Sequence, residues 1–450
     1  MSFFKAYDMR GTYGVDFDLS TVRKVGRALP KVVKGSRWLV GRDCRITSKD
    51  VRDQLIRGLR EAGAEVFDLG MCTTPMVYYF TAEDGFDGSV MITASHNPPS
   101  DNGLKVSCRG ALPVGYANGL DEVERLVASD TGDVSSDGAP DNCCDGTSPM
   151  LERYVAHFAP LIVRDRALRY AVDCSNGMSS LLVHELFPGA VIINDVLDGR
   201  FPNHSPNPLK DEAREQLSAL VREQRLDFGV IFDGDADRCM FVDERGEFVQ
   251  PDYLIPVVAK ATLGGVADGA KVIHDVRTSR GAIEELKRMG CEPLMVPVGH
   301  AFAKPMLRES GAVCGGELAG HYYFREFHCC DSGVLAALRI VGEIAAAKRS
   351  GLTFSQMMRP ISGVYANSGE INFRVEDKDA AIARVLSVAK LHLPTEISRS
   401  DMDGIRIEYA DGWINIRKSN TEPYLRLIAE RRGDVGEWVA ILKGAIENDV

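Results

Sequence analysis

No apolar run in this 450-residue chain approaches the ~20 residues of a membrane-spanning helix, and no CxxC pair marks a zinc or redox motif. The opening MSFFKAYDMRG lacks a charged start followed by a long apolar core, so neither secretion nor membrane insertion is expected. Positive charge is also short: Lys and Arg total 53 against 64 Asp and Glu, a formal net charge of -11. Nucleic acid or an anionic membrane needs a basic face, so neither is an expected partner. A small anionic substrate remains compatible, because a few clustered arginines can dominate a pocket locally. The 11 cysteines are scattered, with Cys143-Cys144 and Cys329-Cys330 adjacent, which reads as reduced thiols in a cytoplasmic protein. Hydrophobic residues at 45% and charged residues at 26% leave no sign of disorder or of a fibrous repeat.

A length of 450 residues at about 100 to 200 residues per domain predicts three or four domains. The stretch 128–149, rich in Asp, Ser and Gly, reads as a surface loop closing a first unit. Before it, strand-like 38–41, 64–69 and 90–93 alternate with a helical pattern over 49–62. A second unit opens with a helix over 150–158 and continues with strand-like 169–177, 190–195 and 228–232. A third repeats the theme with strands near 271–276, 292–299 and 312–317 and helices over 281–289 and 333–348. The last segment differs. Its runs 369–375, 404–410, 413–419 and 424–430 alternate as in an antiparallel sheet, with helices over 378–391 and 435–446.

Two stretches carry chemistry. The first, 90–106, reads VMITASHNPPSDNGLKV: a short apolar strand delivers Ser95 to an exposed loop, and 97–103 is expected to continue neither strand nor helix. Ser95 lacks a GxSxG elbow, and the side chain of adjacent His96 is expected to diverge from it, which argues against an acyl-transfer triad. The second, 228–242, reads FGVIFDGDADRCMFV, and places Asp233, Asp235 and Asp237 at alternate positions after an apolar strand. Such carboxylates repel one another without a cation, and their oxygens suit a hard divalent metal, Mg²⁺ above all. An EF-hand loop would use the same aspartates with Glu244 in the closing position. It is rejected because Arg238 replaces the sharp-turn glycine and both flanks look like strands. Arg238 beside the ligands is suited to stabilising charge in a transfer, or to pairing Asp237 or Asp243 on the surface.

Together these stretches resemble the α-D-phosphohexomutase family, which moves a phosphoryl group between the 1 and 6 positions of a hexose. TASHNP at 93–98, DGDADR at 233–238, GELAGH at 316–321 and RKSNTEP at 417–423 carry the resemblance, which covers nearly the whole chain. The phosphomannomutase/phosphoglucomutase branch is the nearest match, since phosphoglucosamine mutases usually show Gly where Asn420 stands. The resemblance implies an α/β fold of four domains. Three similar mixed α/β layered units (1–149, 150–247 and 248–362) precede a C-terminal α+β domain with an antiparallel sheet (363–450).

It further implies a phosphorylated Ser95 whose phosphate is bridged by Mg²⁺ to the three aspartates. The base is Lys105 or His96. Lys105 resembles the family's proton-transfer lysine, and burial or a nearby cation would lower its pKa. Arg417, Ser419, Asn420 and Thr421 would hold the substrate's phosphate, and Glu317, His321 and His300 the sugar. Tyr7, Arg10 and Arg277 would add contacts. Ala319 stands where relatives often have serine, which leaves open the choice among mannose, glucose and glucosamine. Sugar phosphates are the expected partners, with hexose 1,6-bisphosphate as activator and a monomer or small homo-oligomer as the assembly. A phosphatase and a catalytically silent sugar-phosphate binder are the competing readings.

Overall fold

Four sheets follow one another along the chain in a computed structural model that describes residues 3–132, 149–265, 267–419 and 424–447. The first contains β1 (Met9–Thr12), β2 (Arg37–Arg42), β3 (Glu65–Met71), β4 (Gly88–Ile92), β5 (Asp101–Cys108) and β6 (Leu112–Val114). The second contains β7 (Tyr170–Asp173), β8 (Val191–Ile193), β9 (Phe228–Phe232), β10 (Cys239–Asp243) and β11 (Phe248–Val249). The third contains β12 (Lys271–Asp275), β13 (Glu292–Val296), β14 (Cys314–Gly316), β15 (Tyr322–Phe324) and β16 (Cys330–Asp331).

One strand order recurs in all three: β3-β2-β4-β5, β8-β7-β9-β10 and β13-β12-β14-β15. In each the first two pairings are parallel and the third antiparallel. The internal repeat expected from the alternation of strands and helices is therefore present in the topology. The last sheet is built from β17 (Ala366–Asn367), β18 (Ile371–Phe373), β19 (Ser398–Ser400), β20 (Ile405–Glu408), β21 (Gly412–Lys418) and β22 (Leu425–Arg431). Its strands pair antiparallel throughout, in agreement with its period-2 pattern.

Apolar strands become central strands here because helices cover both faces. Every residue of β4 and of β9 is buried. The helix Thr74–Glu83 has few polar positions and is enclosed on all sides, its start set by Thr73 accepting from Met76 N and by Pro75 in the first turn. One apolar cluster runs from Leu39 to Ile361 and takes residues from all three repeated units. The last sheet keeps a separate core, from Phe373 to Ile446, formed with the helices Lys378–His392 and Gly436–Glu447.

Two expectations are corrected. Residues 97–103 are not all turn, because β5 begins at Asp101. Its polar start is stabilised by ladder bonding to β1, where Thr12 faces Asp101 and Arg10 faces Gly103. Tertiary pairing overrides the weak strand preference of Asp, Asn and Gly. The expected loop 128–149 is helical at its near end, since the helix Leu120–Ser129 continues through Ala128, while 133–148 lie outside the described residues. Among the described residues no helix is long and apolar enough to cross a membrane.

Candidate active site

The end of β4 and the end of β9 meet, and that meeting builds the site. Ser95, with φ at 52°, turns left-handed just after the strand, so its side chain and that of His96 come together. Ser95 Oγ donates to Asp233 Oδ2 at 2.9 Å and lies 3.1 Å from His96 Nδ1. The expected divergence of these two neighbours holds for an extended chain and fails at a left-handed residue. Gly234 lets the two loops touch: a Cβ there would stand 2.5 Å from Ser95 O.

Arg45, buried to 2% exposure, was not singled out in the sequence, yet it organises the serine loop. Its guanidinium donates to the carbonyls of Ser95 (2.8 Å), Asn97 (2.7 Å), Pro98 (2.6 Å) and Asp101 (2.9 Å). Asp43 balances its charge at 3.1 Å. Only the fold brings position 45 under a loop some 50 residues later in the chain, and nothing in the local sequence announces it.

Asp233, Asp235 and Asp237 are all buried, with one oxygen of each within 4.8 Å of the others. Lys105 Nζ donates to Asp235 Oδ2 at 2.8 Å and to Asp237 Oδ2 at 2.6 Å. Burial pulls the Lys105 pKa down, but the two carboxylates outweigh it and hold the pKa above the ordinary lysine value, contrary to the expected lowering. Asp235 also takes a hydrogen bond from Thr74 Oγ1 at 2.6 Å, at the N-terminus of the helix Thr74–Glu83, where the helix dipole favours an anion. Burial, then Asp237 and Asp235, push the Asp233 carboxyl well above the usual carboxylate range.

The triad is thus short of counter-charge. Among the described residues Asp235 Oδ1 is buried without a hydrogen bond, and Asp237 Oδ1 has His321 Nε2 at 3.4 Å and Arg238 Nε at 3.9 Å. Orphaned hard oxygens in a converging set fit a divalent cation. Glu244 is elsewhere, accepting from Ser355 N at 3.0 Å and Ser355 Oγ at 2.6 Å, so no EF-hand forms.

Around this centre the remaining candidates connect. Arg238 Nε donates to His321 Nε2 at 3.1 Å and stands 3.9 Å from both Asp233 and Asp237. His96 is pushed well below the ordinary histidine pKa by lost hydration and then by Arg238 and Arg10, which keeps its ring neutral. Arg10 donates to Asn97 Oδ1 at 3.1 Å and to Asp8 Oδ2 at 2.6 Å. Tyr7 meets His300 edge-on at 5.9 Å between ring centres, and His300 meets His321 at 6.4 Å. Glu317 caps no helix among the described residues. Its Oε1 accepts from Tyr323 at 2.6 Å, while Oε2 lies 3.9 Å from His321 and 3.8 Å from Arg277.

Arg277 and Arg417 converge on Glu370, at 3.4 and 3.0 Å, and Arg426 joins them at 3.0 Å. Arg426 and Glu370 carry no local motif and escaped sequence reasoning. An alternating strand that faces Arg417 in register was the available signal. Ser419 N donates to Tyr424 O at 2.9 Å, while Asn420 and Thr421 lie outside the described residues.

Comparison with known proteins follows the same divisions. Family models described as phosphoglucomutase/phosphomannomutase α/β/α domains I, II and III match residues 1–132, 152–246 and 250–362, and the C-terminal domain model matches 370–440. A phosphomannomutase of Escherichia coli is 36% identical over 462 residues, covering 98% of this chain and 99% of that protein. A protein named phosphohexose mutases, from Xanthomonas campestris pv. campestris, is also 36% identical and covers 96% of this chain and 95% of its own. A solved phosphoglucomutase/phosphomannomutase family protein from Burkholderia thailandensis superposes with a TM-score of 0.83 at 30% identity, over 99% of this chain and 98% of that one.

Proposed function

The chain belongs to the phosphoglucomutase/phosphomannomutase family, and from that premise we propose that it interconverts hexose 1-phosphate and hexose 6-phosphate, with mannose or glucose as the sugar. The observation that carries this reading is the Ser95 hydroxyl 2.9 Å from Asp233 in a cation-seeking carboxylate triad, with Lys105 clamped to the other two aspartates. The unit boundaries 1–149, 150–247, 248–362 and 363–450 are part of the same reading, as are a cytoplasmic location and a monomer or small homo-oligomer.

Ser95 Oγ carries the phosphoryl group. A sugar hydroxyl oxygen bonds to phosphorus as the bond to Ser95 Oγ breaks, and its proton passes to the neutral ring of His96, or to Lys105 once that side chain, held charged between Asp235 and Asp237, has given up its own proton. The resulting hexose 1,6-bisphosphate turns around, its other phosphoryl group returns to Ser95 Oγ, and the base gives its proton back to the sugar oxygen. Asp233, Asp235 and Asp237, together with Ser95, are the groups that would hold Mg²⁺, which when bound would supply counter-charge for the group in transfer. Arg238 adds a second cation on the same side.

Glu317, His321 and His300 take the sugar, with Tyr7 beside His300 and Arg10 beside the serine loop adding contacts. Arg277, Arg417, Ser419, Asn420 and Thr421 take whichever phosphate is distal. One serine cannot serve both ends of the sugar unless the ligand reverses, so this pocket must accept both. Bisphosphate that escapes leaves Ser95 bare, which makes added hexose 1,6-bisphosphate an activator.

The test is to supply mannose, glucose and glucosamine 1-phosphates side by side and resolve the products. Production of the 6-phosphate supports a mutase, free phosphate a phosphatase, and no turnover a binding protein. Preference for the glucosamine ester would move the chain to the phosphoglucosamine branch.

A further inference from the structure

Three guanidinium groups, two from adjacent strands of the last sheet and one from the third unit, surround one carboxylate. Arg417 on β21 and Arg426 on β22 are direct cross-strand partners. Like charges in that relation repel, and Arg277 adds a third from the turn after β12. Glu370 stands in their midst at 3.0, 3.0 and 3.4 Å, its side chain 19% exposed. Burial alone would raise its pKa, but the three arginines outweigh burial and keep it ionised.

Its place is set by the backbone. Glu370 lies between β17 and β18, which pair with the same strand, β22. Gly369 turns with φ at 67° and donates to Asn367 Oδ1 at 2.8 Å, and Ser368 exchanges 2.9 Å bonds with Ala429. The carboxylate is therefore held where a phosphate would find its best donors. Arg417 Nε, although buried, makes no hydrogen bond among the described residues, so the resident anion leaves donor capacity unused.

We propose that Glu370 is a built-in competitor for the distal phosphate. It offsets part of the charge of the arginine cluster between substrates and weakens the hold on phosphate, so that the bisphosphate can let go and turn. This inference rests on the mutase reading, in which one pocket must bind and release two phosphates in each cycle. Without Glu370, Arg277 would keep Asp275 at 2.6 Å, but Arg417 would lose its carboxylate partner and favour holding over release, the step that turning requires.

The probe is inorganic phosphate, titrated calorimetrically onto the full-length protein and onto Glu370→Gln, Glu370→Asp and Arg417→Ala. Glu370→Gln should bind it on the order of tenfold more tightly, as expected when a competing charge gives way to a neutral isostere. Its KM for sugar phosphate and its kcat should fall together, and it should need less added bisphosphate. Glu370→Asp keeps the charge and should bind phosphate more weakly than Glu370→Gln. A Glu370→Gln protein that binds phosphate less tightly, or raises KM with kcat unchanged, shows a carboxylate that only positions the arginines and overturns the proposal. Loss of folding in Glu370→Gln by circular dichroism overturns it equally, because the carboxylate is then a structural counter-charge. Unchanged phosphate binding in Arg417→Ala would instead sink the phosphate-pocket reading itself, so the two failures are distinguishable.

Discussion

The serine–carboxylate centre and the arginine cluster are both charge clusters, but they are assembled in opposite ways. The first lies between units that share one apolar cluster, from Leu39 to Ile361. Its three acids come from five consecutive residues. The second takes arginines from two sheets with separate cores, and hydrogen bonds cross the seam between those sheets. Glu430 accepts across it from Arg280 N at 2.8 Å, and within its own sheet from Trp413 Nε1 and Asn367 Nδ2 at 2.8 and 2.9 Å. Arg406 donates to the carbonyls of Val276 and Thr278 at 2.5 and 3.0 Å. Apolar joining suits a centre that must hold charged atoms within hydrogen-bond reach of one another. A hydrogen-bonded seam gives up less when it shifts, because its groups can exchange partners with water.

The sharpest way to break this comparison is at Ser95. Ser95→Ala should lower kcat on the order of 10³-fold or more, and intact mass should show no covalent phosphate. Near-normal turnover would remove the serine from the chemistry. Next comes the triad: exhaustive EDTA treatment should silence the enzyme and Mg²⁺ restore it, while Asp235→Ala should lose about 10³-fold and not recover with Mg²⁺. An Asp235→Ala protein as active as wild type after chelation would end the metal assignment.

Arg45 tests how the first centre is held. Arg45→Ala takes the buried charge partner from Asp43 and a donor from four carbonyls, and urea melts should report a loss of about 3 kcal/mol together with reduced kcat. A loss confined to KM would place Arg45 outside the serine loop's support. On the other side, Arg417→Ala should weaken both the 1-phosphate and the 6-phosphate by roughly 1.5 to 3 kcal/mol each. An effect on one ester alone would rule out a shared pocket.

The smallest expected effect is at the seam. Asp252 accepts from Ser279 N at 2.8 Å, and burial, with Glu430 and Asp275 nearby, raises its pKa from 3.8 to about 7. A folded-state value above the unfolded one gives stability that is complete below about pH 3.8 and lost as pH rises through about 7. Acidifying from about pH 7.5 to about pH 6 should therefore stabilise the protein by about 1 kcal/mol through this group. Asp252→Asn should flatten that part of the profile, and a slope identical to wild type would show that Asp252 does not titrate there.

Much of the first centre was legible because its ligands are local. Asp233, Asp235 and Asp237 alternate along one strand exit, and Ser95 follows an apolar run that ends in turn residues, so short-range pattern was enough. The α/β repeats and the alternating last sheet were legible for the same reason, being written in the period of apolar residues. Arg45, Thr74, Arg426 and Glu370 were not. Each acts on residues far along the chain, and apart from the alternation around Arg426 none sits in a pattern that distinguishes it from a solvated polar residue.

What the chain determined by itself is the inventory: three acids that need a cation, a serine at a strand end, and arginines in the last segment. Only the tertiary structure decided how these groups face one another. It turned His96 toward Ser95 through a left-handed residue, gave Lys105 to two carboxylates that reverse the effect of burial on its pKa, and set Glu370 among three arginines. The reason is physical: the energy of a charged group depends on neighbours within a few ångströms, and those neighbours are chosen by strand register and loop contact, not by adjacency in the chain.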